Sequence, residues 1–139
     1  MENNVIEDIV KTWEETRKEM MEKLQSSLKL AFKTFFEENS TITGLRWKQY
    51  TPHWNDGETC YFGVHMDYMD VEIDNEWQEE EFYYDEILNK KYAKEYEAIK
   101  TFSKTLMKIP DEVFEDMFGD HVEITATKDG FTTGEYEHD

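Results

Sequence analysis

One cysteine and four histidines are the side chains of this sequence best suited to nucleophilic or metal chemistry. A cysteine nucleophile needs a histidine within reach and a lowered thiol pKa. A predicted turn separates His53 from Cys60, and His65 lies further along the predicted strand of Cys60 with the opposite side-chain parity. We therefore expect no catalytic dyad, and no enzyme.

Metal and phosphate motifs are equally weak. The histidines lack a ligand spacing such as H-E-x-x-H. Asp70, Glu72, Asp74 and Glu81 match positions 1, 3, 5 and 12 of an EF-hand loop. Position 6 is Asn75 instead of glycine, however, and a strand precedes the loop. Because the chain also has no glycine-rich phosphate loop, we predict no metal and no cofactor.

An acidic and aromatic segment, DVEIDNEWQEEEFYYDE at positions 70–86, is the most unusual feature. From Asp67 to Glu86 there are ten acidic and five aromatic residues, with no lysine or arginine. The whole chain has 33 acidic against 15 basic residues, a net charge of −18, where about 2 to 8 suffices for solubility. This excess disfavours nucleic acid and anionic membranes as direct partners, since both are polyanions, and favours a basic protein.

Carboxylates at alternate positions of a strand lie about 6.6 Å apart, the same order as the phosphates along a nucleic-acid strand. The segment therefore predicts a nucleic-acid mimic, whose rings anchor the contact. The predicted partner-binding residues are Asp70, Glu72, Asp74, Glu76, Trp77, Glu79, Glu80, Glu81, Tyr83 and Tyr84. The alternative is a solvated face, partly neutralised by Arg46 and Lys48 on the neighbouring strand or by lysines 90, 91 and 94.

The elements that position this segment follow from hydrophobic periodicity. Apolar residues at steps of three and four predict one helix over residues 5–38. Alternation then places Leu45, Trp47 and Gln49 on one face of a strand, opposite Arg46 and Lys48. The returning strand is predicted to turn Cys60, Phe62, Val64 and Met66 inward. The inward set then changes parity to Met69, Val71 and Ile73, which predicts a bulge near Asp67 and puts Asp70, Glu72 and Asp74 on the outer face.

The second half predicts a helix from Phe82 to Met107, a short helix after Pro110 closed by Gly119, and a hairpin turning at Asp129-Gly130. The order α-β-β-α-α-β-β defines a single α+β domain over residues 1–139. We expect an antiparallel sheet of about four strands with helices on one face. The long N-terminal helix exceeds what such a sheet covers, so a homodimer through part of residues 6–36 is expected.

The stretch WKQYTPHWNDGETCYF resembles a W-x-Q-Y-T-P-x-x-N-D-G-x-x-C-x-F pattern of small bacterial and phage proteins. The C-terminal part is also similar to these proteins, at Phe118-Gly119-Asp120-His121, at Asp129-Gly130 and at the final Glu135 to Asp139. The resemblance implies one domain and a bacterial or phage source, and it implies no activity. From the residues themselves, Asn55, Asp56 and Gly57 predict a turn, and Cys60 a core position.

These observations predict a non-catalytic acidic binding protein, an inhibitor from a phage or bacterium that blocks a nucleic-acid-binding, nuclease or defence protein by mimicry. Two alternatives stay open: a homo-oligomeric adaptor without mimicry, or an enzyme or metal-binding protein of another type. The N-terminus has no basic region or apolar run, no window spans a membrane, and a lone cysteine forms no internal disulfide. The cytoplasm, that of the host for a phage protein, is the expected location.

Overall fold

The computed structural model describes residues 2–53 and 56–137, apart from the side chains of Glu2 and Asn3. Its helices and strands follow one another along the chain as α1 (Glu2–Glu38), β1 (Ile42–Tyr50), β2 (Gly63–Ile73), β3 (Glu76–Trp77), a 3-10 helix (Glu80–Tyr83), α2 (Glu86–Lys91), α3 (Ala93–Leu106), α4 (Asp111–Phe118), β4 (Val122–Thr127) and β5 (Gly130–Glu135). The predicted α+β class and the long N-terminal helix are confirmed.

The five strands form one antiparallel sheet in the order β3-β2-β1-β4-β5. Four strands were predicted, and the additional one is β3, which pairs Glu72 with Trp77 and Ile73 with Glu76 at the edge of the sheet. Two residues are too few for an alternating pattern, so the sequence carries no signal for this strand.

The change of parity in β2 is confirmed as a bulge. Lys48 of β1 pairs with His65, but Arg46, only two residues earlier, pairs with Asp70. The extra residues of β2 between these pairs allow Met66 and Met69 both to be buried. The prediction for the start of this strand was wrong. Because β2 begins at Gly63, Cys60 precedes it in a loop and is only half-buried.

Aromatic rings fill the space between the sheet and the helices. Phe32 of α1 stacks on Trp47 of β1 with ring centroids 5.5 Å apart, and Phe102 of α3 contacts Phe32 edge-on at 5.0 Å. The other buried residues of α1 (Leu28, Phe35 and Phe36) also lie in its C-terminal part. The core therefore holds α1 by that part alone. In the described part of the chain, no helix combines the length and apolar content needed to cross a membrane.

The predicted helix from Phe82 to Met107 is three separate elements. Asp85 caps α2 by accepting hydrogen bonds from the backbone NH groups of Ile87 and Leu88. Tyr92, with φ −113° and ψ 36°, then separates α2 from α3. The helix after Pro110 is confirmed as α4. The last hairpin turns one residue earlier than predicted, at 128–129, because Gly130 already pairs with Thr127.

Candidate functional site: an acidic and aromatic surface

The acidic segment occupies one edge of the sheet. It runs through the second half of β2, turns into β3, and continues through the 3-10 helix to α2. Asp74 and Asn75 both have positive φ, 49° and 67°, as a tight two-residue hairpin turn requires. Asp74 is therefore a turn residue, and the prediction that it shares the outer face of the strand with Asp70 and Glu72 was wrong.

Arg46 of β1 neutralises part of this charge within the chain. Its Nε lies 2.9 Å from Oδ2 of Asp70 and 3.8 Å from Oε1 of Glu123. Its guanidinium carbon lies 4.2 Å from the centroid of the Trp77 ring, a cation–π contact. Two of the predicted partner-binding residues, Asp70 and Trp77, therefore already contact Arg46 inside the fold. The solvated-face interpretation had named Arg46 as a counter-charge of this segment.

Gly44 allows Trp77 to lie close against the sheet. A Cβ at this position would meet Oε1 of Glu72 at 3.1 Å and Cη2 of Trp77 at 3.3 Å, both closer than ordinary van der Waals contact. The short edge strand β3 thereby carries a ring that folds back over β1 and β2. Trp77 is half-buried as a result.

The carboxylates on either side of Trp77 are exposed to solvent. The exposed acidic side chains of the turn, β3 and the 3-10 helix are Asp74, Glu76, Glu79, Glu80 and Glu81. We call these five residues the acidic surface. No lysine or arginine occurs between Asp67 and Glu86, so the segment itself offers no cation to pair with them.

Three tyrosines adjoin the acidic surface, and one of them was missed from the sequence. The Tyr83 hydroxyl donates a 2.6 Å hydrogen bond to the carbonyl of Met69, and burial, followed by the nearby Asp70 charge, raises the pKa of Tyr83 far above its ordinary value. Tyr83 is therefore a fixed structural ring. Tyr84 is 67% exposed and Tyr68 63% exposed, and their ring centroids lie 5.6 Å apart.

Tyr68 is exposed because it lies in the bulge of β2, between the buried Met66 and Met69. The parity change in the sequence predicted the bulge, and it could have identified Tyr68 as an outward ring. Tyr68 also contacts Tyr83 edge-on, with centroids 5.4 Å apart. It is thus the outermost member of an aromatic cluster that Tyr83 attaches to the fold.

Two cavities flank Tyr68 and Tyr83. The first, about 320 Å³, includes the carboxylates of Asp70, Glu79 and Glu80, and Lys48 of β1. Because Arg46 already pairs with Asp70, the negative excess comes from Glu79 and Glu80 against Lys48, and it suits a lysine or arginine side chain. The second, about 270 Å³, lies against α3 and has a mainly apolar lining that also includes Lys100, Lys104 and Asp67.

The motif of the resemblance has a structural role in the described residues. Gln49 is fully buried, accepts from the Trp47 indole at 3.2 Å, and donates to the carbonyls of Phe114 and Gly119 at 2.9 and 2.8 Å. The W-x-Q part thus holds the C-terminal end of α4.

Two residues further along the motif, Thr51 donates to Asp120 from both its hydroxyl and its backbone NH. Burial opposes ionisation of Asp120, but these bonds and one from the NH of His121 together lower its pKa. The two similar stretches therefore contact each other. Asn55, His138 and Asp139 of the resemblance lie outside the described residues.

The histidines in the described residues lie in stacked ring pairs. His53 stacks on His121 with centroids 4.9 Å apart, and His65 stacks on Tyr50 at 4.4 Å. Among residues 2–53 and 56–137, no group of three or more His, Cys, Asp or Glu side chains is arranged to hold a metal ion. The residues that match an EF-hand pattern lie on a strand, in its turn and in a 3-10 helix, which is not the loop of an EF-hand.

Comparisons of the chain with protein-family models, with curated proteins and with solved structures found no match.

Proposed function

We propose that this chain is a non-catalytic binding protein. Its acidic surface binds the nucleic-acid site of a basic protein and replaces the nucleic acid there. The partner would be a nucleic-acid-binding, nuclease or defence protein, and the chain an inhibitor of it. The observation that carries the proposal is the run of five exposed carboxylates beside the exposed rings of Tyr68 and Tyr84. Carboxylates steer a basic partner to the surface, and the rings slow its release.

The first cavity fits this proposal as a site for one basic side chain of the partner. Glu79 and Glu80, which Arg46 does not pair, outnumber the single Lys48, and Tyr68 and Tyr84 form part of the wall. A lysine or arginine inserted there would gain charge-assisted hydrogen bonds and contact with an aromatic face. Asp70, one of the predicted partner-binding residues, lines this cavity and also pairs with Arg46.

The proposal can be tested by displacement of DNA. Purified bacterial nucleic-acid-binding proteins and nucleases are each bound to a fluorescently labelled DNA duplex, and release of the duplex is measured as the chain is added. Charge reversal of Glu76, Glu79 and Glu80 to lysine should weaken displacement by about tenfold or more. These positions are exposed and make no ion pair in the described residues, so the fold should tolerate the change.

The matched control reverses Glu7, Glu14 and Glu15 of α1 to lysine, which changes the net charge by the same amount at a distant place. This variant should displace DNA nearly as well as the wild type. Equal loss in both variants would mean that only net charge matters. Failure of the wild type against every tested protein would contradict mimicry.

A second function, a homo-oligomeric interaction module, is favoured by a different observation. Large apolar side chains of the N-terminal half of α1 are exposed, although the sheet covers the C-terminal part of the same helix. This observation is independent of the acidic surface.

A further inference from the structure

The N-terminal half of α1 carries an apolar stripe that the fold leaves in solvent. The six large apolar side chains of this half have exposed fractions between 47% and 64%: Val5, Ile6, Ile9, Val10, Trp13 and Met20. They recur at helical spacing, and the stripe leads into the buried residues that begin at Leu28. Exposure of such a stripe to water is unfavourable, so we expect a binding partner to cover it.

We propose that this apolar stripe binds the same stripe of a second copy, with the two helices antiparallel and a two-fold axis near Trp13. The stripe spans positions 5 to 20, whose midpoint lies between Thr12 and Trp13. An isologous contact then places Ile6 of each copy near Met20 of the other and brings the two Trp13 rings together.

The area of the stripe is enough for a weak dimer. Burying an aliphatic side chain removes roughly 60–120 Å² from water and an aromatic one about 150–250 Å². At the observed exposures, the six side chains offer on the order of 400 Å² of apolar area per copy. Since about 65% of a homodimer interface is apolar, the pair would bury about 1,200 Å² in total, at the lower end of stable interfaces.

Charge favours the antiparallel arrangement over the parallel one. Each copy carries −18, and parallel helices would place the two sheet domains side by side, where they repel. The first ten residues contain three acids and no base, whereas residues 11–23 contain four bases and four acids and so carry no net charge. Antiparallel helices place each acidic segment against the neutral segment of the other copy instead of against the other acidic segment, and they also oppose the helix dipoles.

The contacts of α1 with α4 leave room for this pairing. Arg17 bonds Glu112 and Gln25 bonds Asp116, and both contacts lie at or beyond the fourth turn of the helix. Five of the six stripe residues, from Val5 to Trp13, precede both contacts, and the exposed Met20 lies between them in the sequence. The dimer would carry one acidic surface at each end, and would therefore be bivalent for the proposed basic partner.

Sedimentation velocity over nanomolar to high micromolar concentration tests the association. The wild type should shift from 16.8 kDa to twice this mass in the micromolar range. The double variant Ile9→Glu, Trp13→Glu should stay monomeric. The control Lys11→Gln, Lys18→Gln changes the net charge by the same two units on the other side of the helix, and should dimerise like the wild type. A wild type that stays monomeric over the whole range would overturn the proposal. Binding of that monomer to neutral lipid vesicles or to a different protein through Trp13 would not rescue it, because the occupant of the stripe would then not be a second copy.

Cross-linking tests the direction of the helices. In a Cys60→Ser background, protein with Ile6→Cys is mixed with protein carrying Met20→Cys and treated with a short bis-maleimide. Antiparallel pairing should give mostly products that join the two different variants. Products formed mainly within each single variant would indicate parallel helices and overturn the proposed arrangement. Because these readouts use no basic partner, failure of the acidic-surface proposal would leave them unaffected.

Discussion

Gln49 offers the sharpest test of how this fold is held together. It is fully buried, and its amide makes three hydrogen bonds, to the Trp47 indole and to the carbonyls of Phe114 and Gly119. Gln49→Met keeps the length of the side chain but leaves the indole NH and the carbonyls without these partners. Each unsatisfied buried group costs about 1–3 kcal/mol. Allowing for the apolar gain of methionine, we expect a loss of about 2–4 kcal/mol in the free energy of unfolding.

Urea denaturation, followed by circular dichroism and tryptophan fluorescence, measures this loss. With an unchanged slope, the midpoint should fall by about 1–2 M. The matched control is Gln25→Met, because Gln25 also donates to α4, through Asp116, but does so in solvent. That variant should stay within about 0.5 kcal/mol of the wild type. Equal losses for both variants, or a loss below about 0.5 kcal/mol for Gln49→Met, would refute the argument from burial.

Two further predictions concern the stability contributed by Asp120 and Cys60. Because Asp120 is exposed and solvent weakens its interactions, Asp120→Asn should lower the free energy of unfolding by only about 0.5–1 kcal/mol near neutral pH. Because the pKa of Asp120 is lowered in the fold, the stability it contributes is fully present above the ordinary carboxyl pKa of about 4 and is lost as the pH falls through the lowered value. The deficit of the variant should therefore shrink in acid, which urea titrations at several pH values would measure, and a constant deficit would contradict this linkage. Cys60→Ala should lower the free energy of unfolding by less than about 1 kcal/mol and leave partner binding unchanged, because Cys60 is half-buried outside the strands. A larger loss in urea denaturation would indicate that Cys60 belongs to the core, as the sequence predicted.

Alternation along the strands predicted the sheet well, because burial on one face imposes it residue by residue. Leu45, Trp47 and Gln49 all lie inside, and the parity change predicted the bulge near Asp67. The two-residue β3 and the break at Tyr92 depend on contacts between distant segments and on a single backbone conformation. Neither leaves a periodic signal in the sequence.

The sequence predicted which segment forms the candidate site better than it predicted how the side chains of that segment are arranged. The sequence identified the segment from 70 to 86, and its carboxylates at 76, 79, 80 and 81 are exposed. It did not foresee that Tyr83 would be tied to the carbonyl of Met69, or that Tyr68 would take the outward position in the bulge. Arg46 was named as a counter-charge, but its simultaneous contacts with Asp70 and Trp77 follow from strand pairing and a hairpin turn.

Salt acts in opposite directions on the two proposed interfaces. At about 0.15 M ionic strength, charges more than about 8 Å apart are largely screened. Screening weakens the attraction between the acidic surface and a basic partner, so the association rate should fall as salt rises. The same screening reduces the repulsion between two copies that each carry −18, while the apolar stripe keeps its attraction, so the dimer should strengthen. A salt series that measures DNA displacement and sedimentation on one preparation therefore separates the two interfaces. If both weakened together as salt rises, the stripe of α1 would not be the surface that joins the copies.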